Sequence, residues 1–310
     1  MPETARELPT TLVERMSEFR LKPGEHRYRI EGEVLPIDVY ARLVGPDQPL
    51  IVFGQGMVKR DEVALPRFQR LDWVRHFPEN VMILSDPTLG IDPELGLGWL
   101  LGTDEHYVLP RIVELVERAR DGIGLQNRQV LFYGSSAGGF GSLMLASRLQ
   151  GSSAFVNNPQ TDVLQFRRGG VARLLRTAFG GIAPAEAARR FGTRFSFVEA
   201  LRQGATMPRT YYLQNILDAD HYEDQMLPLL SALRGLGRST GESDPSGSQL
   251  LLDLYVDEKK LHNPVGLQRM LSCMSQVRPW ISGGGPPVPA EAKGRRPLKP
   301  RQEPETPGPA

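Results

Sequence analysis

A serine flanked by glycines is the feature of this sequence that could do chemistry most directly. Gly134, Ser136 and Gly138 form a G-x-S-x-G pattern. The pattern follows an apolar run at 129–133 and opens a segment with helical spacing. At a sharp turn from strand to helix, larger side chains at the two glycine positions would collide. The spacing therefore predicts that Ser136 is a nucleophile on such a turn, the alternative being a glycine-rich turn that packs tightly or binds phosphate.

A serine hydroxyl needs a general base, usually a histidine, and a carboxylate that orients this base. In the α/β fold that this turn indicates, the acid and then the histidine follow the serine in the chain. His221 and His262 are the two histidines after Ser136. His262 lies between the last predicted strand, 250–256, and the last predicted helix, 265–277, and is the predicted base.

Three aspartates could supply the orienting carboxylate. Asp218 follows the predicted strand 210–213 after a turn at Asn215 and is the first choice. Asp220 is the second choice, although it could instead cap the helix that follows. Asp162, beyond the preceding strand, is the third.

The oxyanion formed by attack on a carbonyl needs N–H donors. We predict one from Ala137, at the start of the helix after the serine. The loop after the strand 50–53 supplies the other, from Gln55, Gly56 or Met57, because its glycines allow close approach of the backbone. An ordinary glycine-rich turn explains this loop equally well.

Four further side chains are candidate substrate contacts. Asn158 and Gln160 lie just beyond a strand end, where open α/β sheets bind ligands. They could bind substrate hydroxyls or satisfy a turn. Trp99 could stack on a sugar ring or anchor a core, and His221 could contact substrate or begin a helix. The sequence shows no metal-ligand spacing, and we predict neither a metal site nor a cofactor.

Short apolar runs alternate with helical segments along the chain, which is typical of a parallel sheet covered on both faces. We predict one α/β domain, residues 25–281, with a mostly parallel central sheet and helices on both faces. The region at about 160–208 breaks the alternation and predicts a small helical cap insertion, with helices at 164–178 and 184–190.

Both ends of the chain look different from this domain. Residues 1–24 are polar and predict a flexible arm, with one possible short helix at 12–19. Residues 282–310 are rich in proline and glycine and predict a disordered tail.

Composition limits the partners of the protein. The 310 residues carry a net charge of +1, which gives no reason to expect nucleic acid as a partner. The single cysteine, Cys273, suits a reducing compartment, and no apolar run predicts a signal peptide or a membrane span. We expect a cytoplasmic protein that acts on a small-molecule or glycan ester.

With these features, the chain resembles the α/β-hydrolase superfamily over about residues 26–280. The resemblance is carried by Gly134–Gly139, Phe53–Gly56, Asn215–Asp220 and His262. A weaker resemblance is to bacterial hydrolase-fold proteins associated with surface glycans, including acetyltransferases. It is carried by Ser85–Thr88, Gly98–Gly102 and Asn158–Asp162.

The resemblance implies an enzyme that forms or cleaves an ester on a sugar. The first hypothesis is a serine esterase with a Ser-Asp-His acyl-enzyme mechanism. The second replaces water by a sugar hydroxyl and makes the protein an O-acyltransferase. The third is a catalytically silent hydrolase fold that serves in binding or assembly.

Overall fold

The computed structural model describes residues 8–32, 35–166, 168–239 and 250–282. These residues form a nine-stranded sheet in the order β1-β2-β3-β5-β4-β6-β7-β8-β9. The strands are β1 Thr10–Val13, β2 Gly24–Ile30, β3 Ile37–Leu43, β4 Leu50–Phe53, β5 Asn80–Leu84, β6 Val130–Ser136, β7 Ser153–Pro159, β8 Arg209–Asn215 and β9 Leu250–Tyr255.

The sheet is mostly parallel. The antiparallel pairs are β2 with β3 and β3 with β5, so the predicted opening hairpin lies towards one edge. The strands β4 to β9 run parallel to one another. Their carboxyl ends therefore lie along one edge of the sheet, where the loops that follow them can meet. The central strands β4 and β7 are buried throughout, as expected for continuous apolar runs covered on both faces.

Helices cover both faces of the sheet. They are α1 Leu109–Ile123, α2 Ala137–Arg148, α3 Arg168–Ala178, α4 Pro184–Phe195, α5 Phe197–Arg202, α6 Ala219–His221, α7 Leu227–Ser239 and α8 Leu267–Ile281. The first two pack into one hydrophobic cluster and α8 into the cluster on the opposite face. The predicted fold class is thus confirmed. None of the helices in the described part of the chain combines the length and apolar character required to cross a bilayer.

The N-terminal segment differs from the predicted flexible arm. Residues 10–13 form β1, which pairs in parallel with β2, and a 3-10 helix at Met16–Glu18 replaces the expected helix at 12–19. Phe19 is fully buried and packs edge-to-face on Tyr28, with 5.3 Å between ring centroids. Parallel pairing with the next strand and burial of one aromatic ring order this segment, and short-range periodicity does not reveal either contact.

The predicted cap corresponds to the helices between β7 and β8. The chain first forms a 3-10 turn at Val163–Gln165, and α3 begins at Arg168 rather than at 164. Helix α4 extends to Phe195, and α5, which the sequence analysis missed, begins after Ser196. The Ser196 side chain accepts a hydrogen bond from the Glu199 N–H and caps α5. Nearly all of the predicted tail lies outside the described residues.

Candidate active site

The predicted nucleophile lies at the junction of β6 and α2. Ser136 is the last residue of β6 and has φ 53° and ψ −125°, a conformation that is strained for a residue with a side chain. A Cβ at Gly134 would lie 2.1 Å from the carbonyl oxygen of Gly138. A Cβ at Gly138 would lie 2.9 Å from the carbonyl oxygen of Gly54. The glycines are therefore required by close backbone approach, as the sequence pattern predicts.

A chain of hydrogen bonds runs from this serine to a carboxylate. The Nε2 atom of His262 lies 3.0 Å from the Oγ atom of Ser136. The Nδ1 atom of the same ring lies 2.8 Å from Oδ2 of Asp218. Asp218 is buried, whereas His262 is partly exposed. This is the geometry in which a histidine can accept the serine proton while the carboxylate fixes its ring.

The other two candidate acids lie elsewhere. The carboxylate of Asp162 accepts a hydrogen bond from the Leu164 N–H at 2.9 Å and caps the 3-10 turn. Burial raises the pKa of Asp162. Asp220 is exposed on the short helix α6. Asp218 is the carboxylate that the structure places against His262.

Asn215 holds the acid loop and the histidine loop together. Its side-chain amide donates to the backbone carbonyls of Asp257 and Leu261, both at 2.9 Å. Its backbone carbonyl accepts from the Asp218 N–H at 3.1 Å. One residue at the end of β8 therefore fixes the relative position of acid and base.

Asn158 supports the histidine loop, so of its two predicted roles, binding substrate hydroxyls or satisfying a turn, the structure favours hydrogen bonds within the protein. Its amide nitrogen lies 3.3 Å from the carbonyl oxygens of both Leu261 and His262. Its Oδ1 atom accepts from the Asn215 N–H at 2.8 Å. The side chain is fully buried, so these backbone groups use its hydrogen-bonding capacity.

His221 is part of the site in a way that the sequence analysis did not predict. Its Nδ1 atom lies 3.1 Å from Oδ1 of Asp218, so one carboxylate contacts two imidazoles. The His221 ring stacks on that of His262, with 3.9 Å between centroids and 20° between planes. His221 is 1% exposed, so its ring contacts protein groups, and of its two predicted roles, substrate contact or start of a helix, the structure does not favour the first. Its spacing of three residues from Asp218 within one helical turn is the signal that could have revealed this contact.

Gln160 connects His221 to the serine. Its Oε1 atom accepts from the indole N–H of Trp99 at 2.5 Å. Because an indole nitrogen only donates, this contact assigns the amide NH2 to the opposite side. The NH2 group lies 3.2 Å from Ser136 Oγ and 3.4 Å from His221 Nε2. His221 Nε2 must therefore accept, which leaves its proton on Nδ1, facing the carboxylate.

Trp99 is 1% exposed and packs against Phe166, with 6.0 Å between ring centroids. Of the two predicted roles of Trp99, stacking on a sugar ring or anchoring the core, the structure favours the core anchor, because no face of the indole is free. Its role is to fix the orientation of Gln160.

The surroundings of the two buried groups favour an ionised Asp218 and a neutral His221. Burial opposes ionisation of Asp218, but the hydrogen bonds from His221 and His262 outweigh it and hold the pKa of this carboxyl well below its usual range. Burial lowers the pKa of His221 more strongly than its contact with Asp218 raises it. At neutral pH this arrangement keeps one negative charge beside two imidazoles.

The candidate oxyanion donors lie where the loop after β4 meets the start of α2. A Cβ at Gly138 would lie 3.0 Å from the carbonyl carbon of Gln55, so the two segments are in contact. Ala137 is the first residue of α2, whose positive dipole end faces the serine. The N–H of Gly56 donates to Oε1 of Gln69 at 2.8 Å and is not free, contrary to its predicted role. Met57 is 59% exposed.

Two further features bear on ligands. An open cleft of about 700 Å³ begins at Met57 and lies between the segments 57–61, 93–97 and 169–173.

Separately, Asp218, His221 and His262 place potential metal-ligand atoms within 4.8 Å of one another. A metal ion bound there would replace the hydrogen bonds that orient His262, so metal binding and the acid–base arrangement exclude each other.

Among known proteins, solved structures resemble this chain. No protein-family model and no curated protein matches the chain. A capsule O-acetyltransferase of Neisseria meningitidis serogroup A matches with 11% identity and a TM-score of 0.59, over 80% of this chain and 93% of that chain. The glycosylation-associated Gap123 complex of Streptococcus agalactiae matches with 15% identity and a TM-score of 0.54, over 84% and 45%.

Prolyl oligopeptidase B of Galerina marginata matches with 14% identity and a TM-score of 0.53, over 84% of this chain and 37% of that chain. The chain thus spans most of the acetyltransferase and less than half of the other two. At these identities the likeness concerns the fold, and the fold of this chain is that of the α/β-hydrolases.

Proposed function

We propose that the protein is a serine-nucleophile enzyme that transfers the acyl group of an ester through a covalent acyl-enzyme. The observation that carries this proposal is the continuous contact from Ser136 through His262 to Asp218. His262 accepts the hydroxyl proton as Oγ bonds to the ester carbonyl carbon. The bond to the alcohol then breaks, and His262 returns the proton to the leaving oxygen. Water, activated by the same histidine, releases the acid.

The negative charge of the tetrahedral intermediate requires donors that are already in place. We assign these to the backbone N–H groups of Ala137 and Gln55. The amide of Gln160 adds a donor to the serine oxygen itself, 3.2 Å away. Charge that develops on this oxygen is therefore met by a fixed dipole rather than by water.

The substrate class that we propose is an acylated sugar or glycan precursor. It is supported by the titles of two neighbours, a capsule O-acetyltransferase and a glycosylation-associated protein. The single free cysteine suits a cytoplasmic enzyme acting on a precursor.

A second candidate reaction is O-acyl transfer to a carbohydrate hydroxyl. It is favoured by the match to nearly the full length of the acetyltransferase, which is 93% covered. The chemistry at Ser136 is the same, and a sugar hydroxyl replaces water in the second step.

Covalent labelling tests the proposal. Ser136 in the wild-type protein should react with a fluorophosphonate probe, and Ser136→Ala should not. The control is Ser275→Ala, which removes a hydroxyl on the far helix α8 and should label normally. The kcat/KM for 4-nitrophenyl acetate should fall by about 10⁴-fold or more in Ser136→Ala. A folded wild-type protein that neither labels nor hydrolyses the ester would favour the silent binding protein instead.

Product analysis separates the two reactions. The wild-type enzyme is given 4-nitrophenyl acetate with increasing concentrations of a methyl glycoside, and acetate and acetylated sugar are quantified. Hydrolysis predicts acetate alone, whereas transfer predicts acetylated glycoside in proportion to the acceptor.

A further inference from the structure

Arg70 lies beside the nucleophile and takes no part in the mechanism above. It directly precedes the 3-10 helix Leu71–His76, and its backbone has φ 65°, in the left-handed region. Its Nη2 atom donates to Oγ of Ser135 at 2.6 Å. Ser135 is the chain neighbour of Ser136, so the guanidinium lies next to the turn that carries the reacting hydroxyl. Left-handed backbone in a residue with a long side chain is costly and concentrates at ligand sites.

Two aromatic rings hold the guanidinium. Its Cζ atom lies 5.3 Å from the ring centroid of Trp73 and 5.3 Å from that of Tyr133. The Tyr133 ring is fully buried in the sheet, which fixes one wall of the contact. A guanidinium stacked in this way retains its positive charge and its planar set of donors. Its position is therefore set before any ligand arrives.

The charge of Arg70 is not neutralised by the described part of the chain. In those residues no carboxylate forms an ion pair with it, whereas other arginines such as Arg29 and Arg278 do. The hydroxyl of Ser135 satisfies one of five donors. The side chain is partly exposed, so a ligand can reach it.

We infer that Arg70 and Ser135 form a subsite for an anionic group, a carboxylate or a phosphate, on the substrate of Ser136. This inference rests on the proposed function, because it names the substrate class of the same site. A planar guanidinium matches both anions with paired hydrogen bonds. Gln69, directly before Arg70, is hydrogen-bonded to the Gly56 N–H and the Met57 carbonyl, so the loop that carries Arg70 borders the site around Ser136. The enzyme accordingly selects esters of acidic sugars or sugar phosphates over neutral ones.

Equilibrium binding tests the subsite without catalysis. Benzoate, phenyl phosphate and benzyl alcohol are titrated by calorimetry into full-length protein carrying Ser136→Ala. At least one of the two anions should bind more tightly than the alcohol, and the preferred one identifies carboxylate or phosphate. Adding Arg70→Gln should weaken binding of that anion by about 10- to 100-fold. Arg67→Gln, which removes an exposed positive charge from the same loop, is the matched control and should leave its affinity within about twofold.

Kinetics test whether the subsite belongs to the substrate. Arg70→Gln should lower the preference for anionic over neutral esters, measured as a ratio of two kcat/KM values. For a carboxylate, the pair is the 4-nitrophenyl hemiester of succinate and 4-nitrophenyl butyrate. For a phosphate, the pair is acetylated glucose 6-phosphate and acetylated glucose. The subsite is refuted if neither anion binds better than benzyl alcohol, or if Arg67→Gln weakens binding as much as Arg70→Gln. Anion binding that depends on Arg70 in a protein that cleaves no ester would refute the proposed function while retaining the anion site.

Discussion

Replacing Asp218 by asparagine tests whether one carboxylate serves both histidines. Each carboxylate oxygen accepts one Nδ1–H, from His221 at 3.1 Å and from His262 at 2.8 Å. Asparagine keeps one acceptor oxygen and places an NH2 donor at the other position. The histidine that faces this NH2 must carry its proton on Nε2 instead.

The two orientations of the new side chain differ in cost. With the NH2 facing His262, the proton lies on His262 Nε2, which can no longer accept the proton of Ser136. With the NH2 facing His221, the base keeps its tautomer, but His221 Nε2–H then faces the NH2 of Gln160, 3.4 Å away. An unsatisfied buried donor costs about 1–3 kcal/mol. The productive orientation is therefore disfavoured by about 5- to 160-fold.

We expect Asp218→Asn to lower kcat/KM for 4-nitrophenyl acetate by about 10⁴-fold, because a serine protease loses about that much with this change. Adding His221→Leu removes the donor conflict and should recover about 5- to 160-fold of the loss. The four proteins of the double-mutant cycle are compared, with circular dichroism to check folding, and Asp220→Asn serves as the exposed control. A double variant no more active than Asp218→Asn would refute the shared carboxylate.

Three further expectations follow from the same contacts. Gly134→Ala should abolish activity, because the added Cβ would lie 2.1 Å from a backbone oxygen. It should also lower the free energy of unfolding in urea by about 1–3 kcal/mol or more. Gly122→Ala is the control: it has open space around it and should be neutral or stabilising. Burial lowers the folded-state pKa of His221 below its ordinary 6.5, so as the pH falls the unfolded chain protonates this histidine before the folded protein does. The free energy of unfolding should therefore fall as the pH drops below 6.5 towards the folded-state pKa. His221→Leu should flatten that part of the plot of stability against pH. Asn158→Leu should accelerate hydrogen exchange at 257–263 and lower kcat in a protein that remains folded, and unchanged exchange there would show that its amide does not hold the His262 loop.

The sheet and the strand-to-helix turn at Ser136 could be predicted because both have local signals. Apolar runs separated by helical segments identify parallel strands, and the turn around Ser136 needs glycines at fixed spacing. The edge strand β1 was missed because its four residues, of which Val13 alone is buried, show no apolar alternation. Its order comes from pairing with β2, which short-range patterns do not encode.

The remainder of the site depends on contacts between distant parts of the chain. Asp218, Asp220 and Asp162 all follow strands, and the sequence could not show which carboxylate turns towards His262. Trp99 and Gln160 are 61 residues apart, and their contact arises only when the loops pack. Polar residues near strand ends therefore suit either substrate contacts or turns from sequence alone, and the structure shows that Asn158 bonds the protein itself.

The backbone conformation of Ser136 sets the stability of the protein against the side chain at this position. Glycine would adopt its angles, φ 53° and ψ −125°, without steric cost, whereas serine costs about 1–3 kcal/mol there. The protein thus retains, at the residue that we propose as its nucleophile, a side chain that its own fold disfavours. Ser136→Gly would relieve this steric cost but would also remove the oxygen that contacts Gln160 and His262, and under the proposed function it would remove the nucleophile.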